Sequence, residues 1–329
     1  MSYQNNDNFK YIHMTTSASS GDFTITGNEG IIFYETDTEA LKVFITSGGW
    51  SSGGNLITAR PGLAGAGLQD VGLCFGGQTA EAPYYRDETE EYDGSSWASG
   101  GDLVTGRGSP SGAGTQNAGL CIGGQNAGSL SSCEEYDGAS WSSGGDTITA
   151  RNGGAGAGTQ TAGLVFGGTG AGLTSEEYNG STWATGGSLS WSRMTPASAG
   201  IQTDALAIAG YVSIDASVLC ESYDGASWSS AGSLSQKRYT TAGCGADSSN
   251  ALVFGGLSGS TVLSSTEIYN GSNWANTGSL NSARRYLGGA GTTLAGLSMG
   301  GNAVGSTSGN TNVTEEYSGS STVTVPTAE

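Results

Sequence analysis

The sequence predicts an all-β fold of short strands joined by tight turns, and three observations predict it. Glycine supplies 59 of the 329 residues, about 18 per cent against an ordinary share of about 7 per cent, with no Gly-X-Y period. A tryptophan recurs as Trp50, Trp97, Trp141, Trp183, Trp228 and Trp274, and the tenth residue after each is arginine: Arg60, Arg107, Arg151, Arg193, Arg238 and Arg284. Between these landmarks run short apolar stretches that end in a glycine pair, the pattern of buried strands bounded by turns. With 12% charged and 36% hydrophobic residues and five prolines, charge-driven disorder, collagen and coiled coil are all excluded.

The repeat can be taken element by element. Its first strand, a, is made of small residues, as in Leu63 to Gly67 or Gly153 to Gly158. Strand b is apolar and closes on the glycine pair: Leu73-Cys74-Phe75-Gly76-Gly77, Leu120-Cys121-Ile122-Gly123-Gly124, Leu164-Val165-Phe166-Gly167-Gly168, Leu252-Val253-Phe254-Gly255-Gly256 and Leu297-Ser298-Met299-Gly300-Gly301. The fourth copy weakens to Ala207-Ile208-Ala209-Gly210. Strand c carries Glu-Glu-Tyr or a variant, with Tyr92, Tyr136, Tyr178, Tyr223 and Tyr269 each five residues before a Trp. A further copy, Glu315-Glu316-Tyr317, lacks its Trp. Strand d starts at the Trp and runs on toward the Arg. Asp93-Gly94, Asp137-Gly138, Asn179-Gly180, Asp224-Gly225 and Asn270-Gly271 separate c from d and read as type I′ hairpin turns, which need positive φ. Turn chemistry accounts for these Asp more simply than calcium loops do, so no metal or cofactor is expected.

The order of glycine pair, Tyr and Trp resembles the kelch repeat, over roughly residues 30 to 325. That resemblance implies a β-propeller of four-stranded antiparallel blades, with strand a along the crowded central axis, strand b between neighbouring blades, and Tyr and Trp supplying the packing between them.

Residues 30 to 45, from Gly30-Ile31-Ile32-Phe33-Tyr34 through Thr36-Asp37-Thr38 to Phe44-Ile45, followed by Trp50, are similar to a hairpin common in tailed-phage fibre and appendage proteins. Together with the Ala-Gly-Thr-Gln runs at 113 to 116 and 157 to 160, the chain resembles the Gly-rich kelch-type virion proteins of marine bacteriophages. Two parts follow: an attachment segment, 1–29, polar and without repeat landmarks, and a propeller, 30–329, in which residues 30–55 take part in ring closure. If the hairpin forms a blade of its own the ring has seven blades, the favoured count because it leaves fewer exposed edges. If only the Trp50 strand joins the last unit, it has six.

The net charge of −18 gives solubility and works against binding a polyanion, so nucleic acid is not an expected partner. No window approaches 18 consecutive apolar residues, so no membrane span is expected, and the start, Met1 to Asp7, has no secretory pattern. Five cysteines without paired spacing read as free core thiols.

From the second glycine of each pair to the following Tyr, the distance varies from 10 residues (Gly168 to Tyr178) to 16 (Gly301 to Tyr317), while the rest of the repeat keeps its length. Variable loops on a constant scaffold are where recognition is expected. Candidate binding residues are therefore Tyr84, Tyr85 and Arg86, in the most unusual of these loops, and Trp191, out of register with the repeat. The repeated Arg could form a positive ring at a channel mouth or pair with the acids of the Glu-Glu-Tyr segments; pairing fits their repetition better. His13 is the only histidine and precedes the repeats, and the carboxylates follow the repeat register, so no catalytic residue and no enzyme activity are expected. The expected role is a virion structural protein, attached to capsid or tail proteins through residues 1–29 and presenting its loops to a host surface glycan or protein. The alternative is a non-viral protein- or glycan-binding kelch module.

Overall fold

The computed structural model describes residues 22–24, 30–35, 40–45, 48–303, 309–319 and 323–325. Among them there are strands and no helix. Each repeat folds as a four-stranded antiparallel sheet in chain order. The first contains Ala64–Gly67, Gly72–Phe75, Thr89–Tyr92 and Trp97–Ser99; the second Ser111–Thr115, Ala118–Ile122, Cys133–Tyr136 and Trp141–Ser143; the third Ala155–Gly158, Gly163–Phe166, Ser175–Tyr178 and Trp183–Thr185. The fourth contains Ala197–Ile201, Asp204–Ile208, Cys220–Tyr223 and Trp228–Ala231, and the fifth Ala242–Asp247, Asn250–Phe254, Thr266–Tyr269 and Trp274–Thr277.

The sixth sheet joins distant parts of the chain. Gly288–Gly291, Ala295–Met299 and Thr314–Ser318 take as their outer strand Gly49–Ser52, with Tyr317 opposite Trp50. Trp50 thus fills the place of the Trp missing after Tyr317. Residues expected to share one sheet with Trp50 lie elsewhere: Gly30–Glu35 and Ala40–Ile45 pair with each other, with Asp22–Thr24 and with Val323–Val325. The repeat sheets among the described residues are therefore six, with the Trp50 strand in the sixth, while the hairpin lies in a further four-stranded sheet of its own.

Composition explains the layout within each sheet. Strand a alternates Ala and Gly because neighbouring a strands nearly touch: a methyl group added at Gly65 would lie 2.6 Å from the Gly289 carbonyl oxygen, and one at Gly156 would lie 2.5 Å from that of Gly112. Strand b is buried on both faces, with Leu73 and Phe75, Leu164 and Phe166, Leu252 and Phe254 on one face and Cys74, Val165 and Val253 on the other all without exposed surface. The core is accordingly divided among sheet interfaces. Ala64, Leu73 and Phe75 of the first sheet pack with Cys121, Tyr136 and Trp141 of the second. An equivalent cluster fills each succeeding interface, including that of the sixth sheet with the first, where Leu297 and Met299 meet Cys74, Tyr92 and Trp97. Within each cluster an aromatic contact recurs, such as Phe75 edge-on to Trp141 at 4.8 Å.

The turns between c and d differ from type I′. They are four-residue loops in which Gly94 and its counterparts alone have positive φ. Asp93 Oδ1 accepts hydrogen bonds from the Ser95 and Ser96 backbone N–H groups, and Asp137, Asn179, Asp224 and Asn270 repeat the arrangement. The side chain itself closes the turn, so a second positive φ is not needed. Those hydrogen bonds hold the Asp93, Asp137 and Asp224 carboxyls below their usual pKa.

Candidate functional site

The linkers from each d strand to the next a strand converge on one end of the molecule, and a buried ion pair fixes each of them. All six repeat arginines are fully buried. Arg60 pairs with Glu90 at 3.2 Å, Arg238 with Glu267 at 2.8 Å and Arg284 with Glu315 at 2.9 Å, while Arg107 pairs with Glu134, Arg151 with Glu176 and Arg193 with Glu221. In every case the carboxylate belongs to strand c of the sheet that the linker enters. It also accepts linker backbone N–H groups, as Glu134 does from Val104 at 2.7 Å and Thr105 at 3.1 Å. Most of the arginines donate further to carbonyls at the end of strand b, as Arg107 does to Gly123 at 2.8 Å. Desolvation lowers the pKa of Arg151, Arg238 and Arg284, and the facing glutamates oppose that shift. These guanidinium groups are structural rivets and present no positive charge to a channel mouth.

Two residues after each arginine the chain turns through the left-handed region. Gly62, Ser109, Gly153, Thr195, Thr240 and Tyr286 have φ between 49° and 63°. Four of the six are not glycine, which costs about 1 kcal/mol each, and more for a β-branched Thr. Their backbones form a closed circuit: the N–H of Ser109 donates to the carbonyl of Gly62, Gly153 to Ser109, Thr195 to Gly153, Thr240 to Thr195, Tyr286 to Thr240, and Gly62 back to Tyr286, at 2.7 to 3.2 Å. Each linker hands on one hydrogen bond to the next.

This circuit surrounds a cavity of about 620 Å³. Its wall combines linker residues with those that follow the glycine pairs, so the loops of varying length open here as well. One arc is polar, with Gln78, Ser109, Gln125, Asn152, Thr169 and Asn302; the other is aromatic, with Tyr211, Tyr239 and Tyr286 beside Met194. No lining side chain is charged. The Tyr211 and Tyr239 rings lie 5.2 Å apart, and the Arg285 guanidinium sits 5.7 Å above the Tyr286 ring. Partial burial raises the pKa of Tyr239.

None of the residues singled out from sequence, Tyr84, Tyr85, Arg86 and Trp191, lines this cavity. Tyr84 is 60% exposed and Trp191 47% exposed. Arg86 forms an ion pair with Glu88, two residues away. Tyr85 comes nearest, its hydroxyl accepting a hydrogen bond of 3.0 Å from Nε2 of the lining residue Gln125. His13 and most of the segment 1–29 fall outside the described residues. The lining residues escaped the repeat landmarks because they occupy three repeated backbone positions, the two after each arginine and the one after each glycine pair, while differing in side chain. Their signal was the residue after each glycine pair, which runs Gln78, Gln125, Thr169, Tyr211, Leu257 and Asn302.

All five cysteines are free and buried. Burial pushes the Cys74 thiol up to about 11 and those of Cys133, Cys220 and Cys244 up to about 12, so they stay protonated and unreactive at neutral pH. Among the described residues no group of three or more His, Cys, Asp or Glu could hold a metal ion. No protein-family model matches the chain, and no curated protein matches it.

Proposed function

We propose that the chain is a kelch-like β-propeller of six blades that serves as a non-catalytic binding scaffold on a tailed-phage particle. The hydrogen-bond circuit through six linkers supports the ring, and the similarity of residues 30–45 to phage fibre hairpins supports the location. The observation that carries the binding role is the convergence of the length-variable loops on one uncharged cavity, while the remainder of each unit repeats. Acid–base catalysis draws mainly on carboxylates, imidazoles or a tuned amine, whereas this wall offers amides, hydroxyls and rings. On this proposal residues 1–29 attach to capsid or tail proteins, and the loops face a host surface glycan or protein.

Mass spectrometry of purified particles tests the location; its absence there would favour a cellular binding module. Deleting residues 1–29 should leave the six repeat sheets folded and abolish particle association. A truncated protein that still decorates particles would sink the anchor. Replacing Tyr84, Tyr85 and Trp191 by Ser should leave decoration intact and weaken attachment to host cells. Loss of decoration instead would mean that the loop face is turned toward the particle.

A further inference from the structure

We infer that the axial cavity is a site for a neutral oligosaccharide, one chain end or two to three sugar units deep. The inference rests on the proposed role as a binding scaffold and names the class of ligand. A pyranose has an apolar C–H face and a rim of hydroxyls, each of which both donates and accepts. Tyr211, Tyr239 and Tyr286 provide half-buried ring surface on one arc of the wall, suited to the C–H face. Gln78, Gln125 and Asn152 face them with amides, which both donate and accept as hydroxyls require.

These groups are uncommitted. The Gln78 side chain and the hydroxyls of Tyr211, Tyr239 and Tyr286 have no hydrogen-bond partner among the described residues, and Gln125 and Asn152 use their amide nitrogens on Tyr85 and Ser129 while their oxygens stay open. Neutrality follows from the surroundings. No acid or base lines the wall, and the net charge of −18 repels an anionic glycan. Backbone strain points to the same place. Thr195, Thr240 and Tyr286 hold left-handed φ angles where Gly62 and Gly153 show that glycine would serve, and strain retained at a rim is characteristic of ligand sites.

The test uses the full chain and neutral tetra- to hexasaccharides of glucose, galactose and mannose at millimolar concentration, with an α-2,8-linked sialic acid oligomer as the anionic counterpart. Saturation-transfer NMR with irradiation of the tyrosine ring protons should give signals from sugar C–H protons for at least one neutral series. Tyr239→Ser should weaken that binding about tenfold, the loss typical of a central aromatic contact, while Leu68→Ser, at an exposed position in the turn between strands a and b, should leave it unchanged. Tyr286→Gly keeps the backbone conformation that two other repeats achieve with glycine, so a folded protein that has lost binding is expected. The site assignment is overturned if no neutral series binds, if the anionic oligomer binds more tightly, or if Tyr239→Ser and Tyr286→Gly bind as well as the parent. Particle association is scored separately: a protein on particles that binds no sugar sinks this inference alone, and one that binds sugar but is absent from particles sinks only the virion location.

Discussion

The interfaces between sheets are of two kinds. Four of them, from the sixth sheet onto the first and on through to the fourth, carry two polar clamps each. A tyrosine hydroxyl donates to the second glutamate of the preceding sheet, at 2.5 to 2.6 Å: Tyr92 to Glu316, Tyr136 to Glu91, Tyr178 to Glu135 and Tyr223 to Glu177. A glutamine from the turn between strands a and b donates to two carbonyls of that same sheet, as Gln160 does to Gly119 and Tyr136; Gln69, Gln116 and Gln202 do likewise. The remaining interfaces, fourth to fifth and fifth to sixth, lack both. Ser222 and Ile268 stand in the glutamate positions, and Tyr317 bonds to Thr277 instead.

That division follows the cavity. Its aromatic arc comes from Tyr211 in the fourth unit, Tyr239 in the linker into the fifth and Tyr286 in the linker into the sixth, where the clamps are missing. The interface of the sixth sheet with the first, between late and early parts of the chain, is fully clamped. Polar reinforcement runs through four consecutive interfaces and is absent from the two beside the tyrosine-lined wall.

The largest effect that would break this contrast lies in the tryptophans. Trp141 is buried at the clamped interface between the first and second sheets and donates to Thr89 at 2.8 Å. Trp141→Ala should cost about 3 to 5 kcal/mol. Trp274, at an unclamped interface, is only partly buried, and Trp274→Ala should cost about 2 kcal/mol. Equal shifts in the urea midpoint would show that the two kinds of interface are packed alike.

The hydroxyls give the next effect. Tyr136→Phe removes a bond to a carboxylate and should cost about 2 kcal/mol, against about 1 kcal/mol or less for Tyr269→Phe, whose hydroxyl only accepts from the Gly232 N–H at 3.3 Å. Thermal denaturation of the pair measures the difference. Alkaline pH probes the same groups without mutation. Burial first, and then the hydrogen bond to a glutamate, pushes Tyr92, Tyr136, Tyr178 and Tyr223 from 10 up to about 12. The folded state therefore prefers the protonated phenol; this stabilisation is complete below about pH 10 and is lost as pH rises through about 12. Stability measured from pH 9 to 12 should fall, and less steeply in Tyr136→Phe. A slope identical in parent and variant would detach the clamp from this transition.

The smallest effect is constructive. Ser222→Glu places a carboxylate opposite Tyr269, in the register that Glu135 has with Tyr178. It should stabilise by about 0.5 kcal/mol, read as a small rise in Tm; a fall would mean that this interface has no room for the clamp.

How much of this was legible depended on whether a position is defined by side chain or by backbone. Trp97, Tyr92 and Arg107 recur as letters, so strand order and sheet composition could be read directly. Glu90 and Glu91 also recur, yet their division into a linker-holding carboxylate and a tyrosine acceptor could not, because alternation along a strand sends adjacent residues to opposite faces. The cavity wall was least visible. Ser109, Thr195, Thr240 and Tyr286 share a left-handed conformation that none of these residue types announces. The partner strand that Trp50 takes was likewise hidden, a contact across more than 260 residues that local pattern does not encode.

That distant pairing has a consequence for synthesis. Until Thr314–Ser318 has left the ribosome, Gly49–Ser52 has no partner strand, and the early sheets wait with an open flank. Completion of the sixth sheet is thus a late event of high contact order, slow in comparison with the local hairpins that precede it. A prematurely terminated chain would carry native-like sheets with a free edge at each end, able to pair with one another between molecules. Pairing of Thr314–Ser318 with Gly49–Ser52 covers both of these strands in a single step.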